Sequence, residues 1–316
     1  MTGFHTDPVL GDCFLIDSSG LEPITTCPYR AYLSVLRKKK RNREEPALRF
    51  GGIIHEALGY RYKMMHYRKC KTSAIINISN LLPRTMEEVQ LRITERLFTS
   101  RPCEAEDWRN LGTATEIIRK YNEEYESEDF HIAEINGLPF VEKPFNIICD
   151  RIAGVLVIYI GRIDLAVYDS KGKLYIIDHK TTSMLGEGFW QDAAVSEQQR
   201  GYCWAATKAG LPQPTGYYIN ALACRKPTKS GTAIEFARRI FYLGEDDLSR
   251  WYQNMMHQVE TFLWHHKRKI FPQHHKHCIT KYGACEFYDL CKQHPDSHED
   301  SLASHNYTDN VWTPLK

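Results

Sequence analysis

The sequence has no apolar run near the roughly 20 residues that a membrane-spanning helix needs. Its longest, around Gly154 to Ile160, falls far short, so no segment is expected to cross a membrane. Residues 1–12 offer Gly, His, Asp and Pro where a secretory signal carries a basic start and an apolar core, and secretion is not expected. Repeats, low-complexity tracts and a Pro/Gly/Ser-rich linker are missing too, which leaves one domain with a helical insertion as the expected organisation. The helicase P-loop pattern Gly-x-x-x-x-Gly-Lys-[Ser/Thr] does not occur. Charge of one sign is also lacking: 41 Lys and Arg against 39 Asp and Glu give +2, so a polyanion site has to come from local clustering.

Such a cluster is present at Arg37-Lys38-Lys39-Lys40-Arg41-Asn42-Arg43, a pattern equally typical of a solvated face. The chain has 316 residues, 42% hydrophobic and 25% charged, enough for a sizeable core. Ten cysteines without an export signal read as thiols or metal ligands rather than a disulfide framework.

After an irregular start, the spacing predicts a short helix over Tyr29 to Leu36 and a longer one over Phe50 to Met65. Charged helices over Met86 to Leu97 and Thr113 to Tyr125 form a layer above something else. From Phe145 the chain turns rich in Val, Ile and Tyr. Two alternating runs, Arg162 to Asp169 and Lys173 to Lys180, flank Ser170-Lys171-Gly172, a three-residue loop with Gly in third place. A helix over Asp192 to Lys208, strands near Tyr217 to Cys224 and Ile234 to Tyr242, and a last helix from Glu245 to Lys269 complete an α/β sheet with helices on its faces.

With Asp169 paired to Lys173, counting back along both strands sets Asp164 directly across from Asp178. Directly opposed side chains have Cβ atoms about 4.5–5.5 Å apart, where like charges repel. A bound Mg²⁺ reverses that sign. Strand period two puts Lys180 on the face of Asp178, and His179 on the other. Metal-bound water as nucleophile and an ammonium beside the phosphate are what phosphodiester hydrolysis requires. Asp-x-Lys alone is common on surface hairpins, so the surroundings carry the case.

Five motifs in order resemble the PD-(D/E)XK nuclease superfamily, specifically its RecB-like and AddB-like branch with an iron-sulfur cluster. They are Cys27-Pro28-Tyr29-Arg30-Ala31-Tyr32, Phe50-Gly51-Gly52-Ile53-Ile54-His55-Glu56, Gly161-Arg162-Ile163-Asp164, Asp178-His179-Lys180 and Gln198-Gln199-Arg200-Gly201-Tyr202. The resemblance runs from about Ser18 to Cys291. It implies a restriction-endonuclease-like fold: a central mixed β-sheet flanked by helices, with a helical N-terminal insertion over about 66–130, a nuclease core over about 145–270 and a C-terminal cysteine region. It also implies Mg²⁺ or Mn²⁺ held by His55, Asp164, Asp178 and the carbonyl of His179. Lys180 would act on the attacking water, and Gln198 and Tyr202, which share a helical face at i, i+4, on the substrate strand. His55 alone is also compatible with an ordinary half-buried histidine, and Tyr202 with core. The chain departs from the pattern with Asp178 in place of Glu and Ile163 in place of Pro.

Cys278, Cys285 and Cys291, spaced x6 and x5, resemble the branch's cluster-binding tail (271–292), whose remaining ligand is Cys27. Four thiolates suit a 4Fe-4S cluster or tetrahedral zinc, and His274, His275 and His277 keep zinc open. Cys13, Cys70, Cys103, Cys149, Cys203 and Cys224 read as packing thiols.

The expected activity is that of a metal-dependent deoxyribonuclease, an exonuclease on DNA ends or single strands in recombination, repair or phage DNA processing. The alternative is a noncatalytic DNA-binding scaffold. Arg37, Lys38, Lys39, Lys40, Arg41 and Arg43 are the candidate DNA contacts, with Trp204 either a stacking platform or core. A helicase or recombination partner would separate strands, in the cytoplasm of a bacterial or phage-infected cell.

Overall fold

The computed structural model describes residues 3–43, 45–69, 86–101, 108–228, 233–280 and 283–310. Contacts divide the chain into two compact units, each assembled from separated stretches. The first comprises Met1–Arg43, Pro144–Arg162 and Asp246–Lys316, the second Glu44–Lys143 and Ile163–Glu245. Among the described residues no helix is long and apolar enough to cross a membrane.

The start is not irregular as expected. Strands β1 (Gly3–Asp7) and β2 (Gly11–Ile16) form an antiparallel hairpin whose turn is tied by the Asp7 carboxylate accepting the N–H groups of Val9 and Leu10. Asp17 then caps α1 (Ser18–Thr26) by accepting Gly20 N–H at 2.9 Å. Helix α2 (Pro28–Ala31) has Pro at its first position, where no N–H is needed, and runs into a π-helical turn over Tyr32–Leu36 and strand β3 (Lys39–Arg41).

The second unit opens with α3 (Pro46–Lys69), α4 (Met86–Ser100) and α5 (Leu111–Glu124), the expected helical layer. The parts of the expected insertion at 70–85 and 102–107, with Cys70 and Cys103, lie outside the described residues. Short strands β4 (Phe130–Ile132), β5 (Glu134–Ile135) and β6 (Leu138–Pro139) lead to β7 (Val141–Ile152) and β8 (Val155–Asp169). Ala153 and Gly154 join these two, both with positive φ, the backbone that a tight two-residue hairpin turn demands. There follow β9 (Leu174–Thr182), α6 (Glu187–Ala194), α7 (Glu197–Lys208), β10 (Gly216–Cys224) and β11 (Ile234–Tyr242). The single helix expected over 192–208 is therefore two, broken at Val195 and Ser196.

Back in the first unit are α8 (Asp247–Arg268), β12 (Ile279–Thr280), β13 (Gly283–Ala284), α9 (Tyr288–Cys291), α10 (His298–Ala303) and β14 (Tyr307–Asp309). In that unit β2 pairs parallel with β8, from Cys13 opposite Leu156 to Ile16 opposite Tyr159, and β14 pairs antiparallel with β3. Phe287, Leu290 and Leu302 pack on Leu33 of the π-helical turn.

The second unit is a mixed sheet flanked by helices. Its portion of β8 is antiparallel to β9 and β4, β9 is parallel to β10, and β10 is antiparallel to β11. Period two sends Leu165, Val167, Tyr175 and Ile177 to one sheet face, where they pack with Ile54, Leu58 and Tyr62 of α3 and Ile117, Ile118 and Tyr121 of α5. Helix α7 packs on β9 and β10, burying Tyr202, Cys203, Trp204, Ala205 and Ala206. Gly51 lets α3 approach β9 closely, since a Cβ there would stand 2.7 Å from Thr181 Oγ1.

Candidate active site and cysteine cavity

The β8–β9 hairpin closes as its loop chemistry requires. Gly172 has φ +73° and donates to the Asp169 carbonyl, and Asp169 N–H meets the Lys173 carbonyl at 3.0 Å. The Asp169 carboxylate takes the N–H groups of Lys171 and Lys173. Pairing from Tyr168 opposite Leu174 to Leu165 opposite Ile177 continues by count to Asp164 opposite Asp178. Both are buried, and His179 N–H donates to Asp164 Oδ2 at 2.9 Å. His55, from α3, brings Nδ1 to 3.4 Å from the same oxygen. Lys180 Nζ is 2.9 Å from Asp178 Oδ2 and donates to Gln198 Oε1 at 2.8 Å; Gln198 Nε2 in turn donates to Tyr202 Oη at 2.8 Å.

Burial pushes the Asp164 carboxyl up and neighbouring Asp178 adds to the effect, against His55, the His179 N–H and Lys180. For Lys180 burial opposes the charge, but Asp178, by charge and hydrogen bond, and Asp164 more than offset it and hold the ammonium above its ordinary range. Sequence reasoning missed Gln199, whose Nε2 donates to Asp178 Oδ2 at 3.0 Å from a fully buried position. A second glutamine beside the motif was the available signal.

The opposite face of β9 holds a polar row in register across three strands: His179, Asn220 of β10 and Arg238 of β11. Arg238 Nε donates to Asn220 Oδ1 at 3.0 Å, which leaves Asn220 Nδ2 as the group 2.7 Å from His179 Nδ1. His179 Nδ1 thus accepts, and the imidazole stacks on Tyr62 at 5.6 Å between centroids. Burial first, then the charges of His55, Arg238 and Lys180, pushes His179 well below its ordinary pKa. Arg238 forks onto Glu128 at 2.6 and 2.8 Å and donates to the hydroxyls of Tyr62 and Tyr121. His179 therefore sits on the second face, as its place in the strand requires.

Residues 18–292 match the sequence profile of the PD-(D/E)XK nuclease superfamily. The chain belongs to that superfamily. Its membership implies DNA as substrate, and such nucleases typically use Mg²⁺ or Mn²⁺. Among solved structures, a protein from Eubacterium rectale named "Putative exonuclease" is 14% identical with a TM-score of 0.48, covering 92% of this chain and 93% of that one. A protein named SSO0001 is 11% identical with a TM-score of 0.31, covering 80% and 78%. No curated protein matches the chain.

For a PD-(D/E)XK chain, carboxylate oxygens and an imidazole are the donor set that a hard divalent cation takes. Among the described residues, however, no group of three or more His, Cys, Asp and Glu is drawn together to hold a metal ion. The four candidate cysteines line one cavity, together with Arg30 and His274. The six residues between Cys278 and Cys285 include the paired strands β12 and β13, which bring Cys285 N–H to the Cys278 carbonyl at 2.8 Å. Cys27 Sγ accepts His274 N–H at 3.5 Å. Burial, then neighbouring Cys285, Cys27 and Cys278, pushes the Cys291 thiol up to about 12. Cys13, Cys203 and Cys224 are buried and Cys149 half-buried.

Much of the basic run is engaged. Arg37 forks onto Glu299 at 2.7 and 2.8 Å, Lys39 pairs with Asp309 at 2.8 Å and Arg41 with Asp289 at 3.1 Å. Lys40 lies opposite Thr308 in the β3–β14 ladder and is exposed, as is Arg43, while Lys38 has φ +51°.

Proposed function

We propose that the chain is a Mg²⁺- or Mn²⁺-dependent deoxyribonuclease of the RecB-like and AddB-like branch, an exonuclease on DNA ends or single strands in recombination, repair or phage DNA processing. The observation that carries this reading is the buried pair Asp164 and Asp178 with Lys180 and His55 beside it. A scaffold gains nothing from two opposed carboxylates. His55, Asp164, Asp178 and the carbonyl of His179 would hold the cation, which supplies Lewis-acid polarisation of the phosphate and a water acidic enough to attack it. Lys180 is placed to orient that water or to meet charge developing on the phosphate, and Gln198 and Tyr202 keep its ammonium in place. The basic run from Arg37 to Arg43 would neutralise phosphates by exchanging its exposed carboxylate partners for DNA, an exchange that costs little because surface pairs contribute about 0–1 kcal/mol.

The same reading assigns a 4Fe-4S cluster to Cys27, Cys278, Cys285 and Cys291. Their shared cavity supports it, and thiols that raise one another's pKa are relieved by a cationic guest. Zinc is the alternative guest. The same reading includes a helicase or recombination partner to separate strands, in the cytoplasm.

End-labelled single- and double-stranded DNA incubated with the anaerobically purified protein and Mg²⁺ or Mn²⁺ tests this. Cleavage slowed about 10²–10³-fold in Lys180→Ala, with DNA binding retained, is the expected result. A wild type inactive on every substrate with both metals leaves the noncatalytic DNA-binding scaffold. A brown chromophore near ~400 nm is expected of the cluster and not of zinc.

A further inference from the structure

Helix α7 begins with two consecutive glutamines that do different things. Successive helical residues point about 100° apart. Gln198 reaches Lys180 and Tyr202, whereas Gln199 turns inward and is 1% exposed. Burying a primary amide is costly unless its atoms find partners. Gln199 Nε2 has one, Asp178 Oδ2 at 3.0 Å, but Gln199 Oε1 is buried with no hydrogen-bond partner among the described residues. Reversing the amide does not help, because it would set Oε1 against a carboxylate oxygen, acceptor against acceptor. A buried acceptor left alone is rare in native proteins and commonly marks a water or ion.

The neighbourhood identifies the guest. Lys180 Nζ and Gln199 Nε2 both address Oδ2 of Asp178, so two donors from different elements fix which carboxylate oxygen is engaged. A carboxylate otherwise turns readily about its last torsion. Asp178 is also one methylene shorter than the Glu that the motif admits, and reaches less far by itself. Gln199 holds this short carboxylate in orientation, and its unused oxygen belongs to the same amide that meets Asp178. Mg²⁺ and Mn²⁺ retain several waters when bound, and each such water needs acceptors for its protons.

We propose that Gln199 is a positioning residue of the divalent-cation site: its amide N–H fixes Asp178, and its buried carbonyl oxygen accepts a hydrogen bond from an ordered water beside the cation. This rests on the nuclease reading. The ligand class is a hydrated hard cation, and the residue acts through Asp178 and water rather than on DNA.

The test is Mn²⁺ binding to the DNA-free protein, followed by electron paramagnetic resonance of the free ion, for wild type, Gln199→Leu and the unbranched Gln199→Met. Thermal melts are run with and without Mn²⁺. Both variants are expected to weaken Mn²⁺ binding by about 10–100-fold, the usual consequence of losing a group that orients a ligand. Their metal-free melting is expected to stay close to wild type, since an unpaired buried acceptor is removed along with the donor. Should Leu not fold, Met carries the test. Folded variants that bind Mn²⁺ within threefold of wild type overturn this inference alone. A wild type that binds no Mn²⁺ overturns the nuclease reading, and this inference with it.

Discussion

The two faces of β9 differ more than any sequence window covering them indicates. Asp178 and Lys180 look toward α7 onto a constellation short of positive charge, with a raised carboxyl at Asp164 and an oxygen on Gln199 that has no partner among the described residues. His179, between them, looks the other way into a row where Asn220, Arg238 and Glu128 exchange hydrogen bonds nearly to saturation. One face is left wanting a ligand; the other is finished. The lesson is that a strand can carry an unstable functional face when its reverse is locked by neutral and paired groups, because both faces share one backbone.

The largest effect expected from breaking this contrast is at Arg238. Arg238→Met leaves Glu128 buried without its cation and should cost about 3–5 kcal/mol of unfolding free energy, measured by urea denaturation. On the other face, Lys180→Ala removes one partner of buried Asp178 but leaves the Gln199 N–H on it, so it should cost less unfolding free energy than Arg238→Met while slowing cleavage about 10²–10³-fold, or about 2.7–4 kcal/mol in the barrier. If Lys180→Ala proves as destabilising as Arg238→Met, the division of labour fails. Asn220→Leu, which strands His179 Nδ1 and Arg238 Nε, should cost about 1–3 kcal/mol in the same denaturation. The smallest effect has the opposite sign. Asp164 has a folded pKa above its unfolded value, so ionisation penalises the folded state as pH rises through that window. Asp164→Asn should therefore stabilise the metal-free protein at neutral pH, by on the order of 1 kcal/mol. The gain should fade as pH falls and wild-type Asp164 takes up its proton; a gain constant from pH 4 to 8 would remove the electrostatic explanation.

The hairpin was legible because its determinants are local: Ser170-Lys171-Gly172 sets the loop, the loop sets the register, and the register places Asp164 and Asp178. The helical layer and strands β10 and β11 were legible from periodicity for the same reason. The β1–β2 hairpin was not, since its turn depends on the Asp7 side chain more than on composition. Ser196 followed by Glu197, a helix-start signal, was passed over inside a longer amphipathic pattern. Asn220 in the otherwise apolar run of β10 was a visible anomaly, but its partners at 121, 179 and 238 become its neighbours only through the sheet. The same holds for the basic run, whose counterions come from residues 289, 299 and 309.

The pairing of β3 with β14, and of Leu33 with Phe287, Leu290 and Leu302, has a consequence for synthesis on the ribosome. The stretches that make up the second unit end at residue 245, whereas β3 and Leu33 of the first unit wait for partners more than two hundred residues downstream. Vectorial production thus favours completing the second unit first, while β3 and Leu33 gain their partners only once residues 287–309 have emerged.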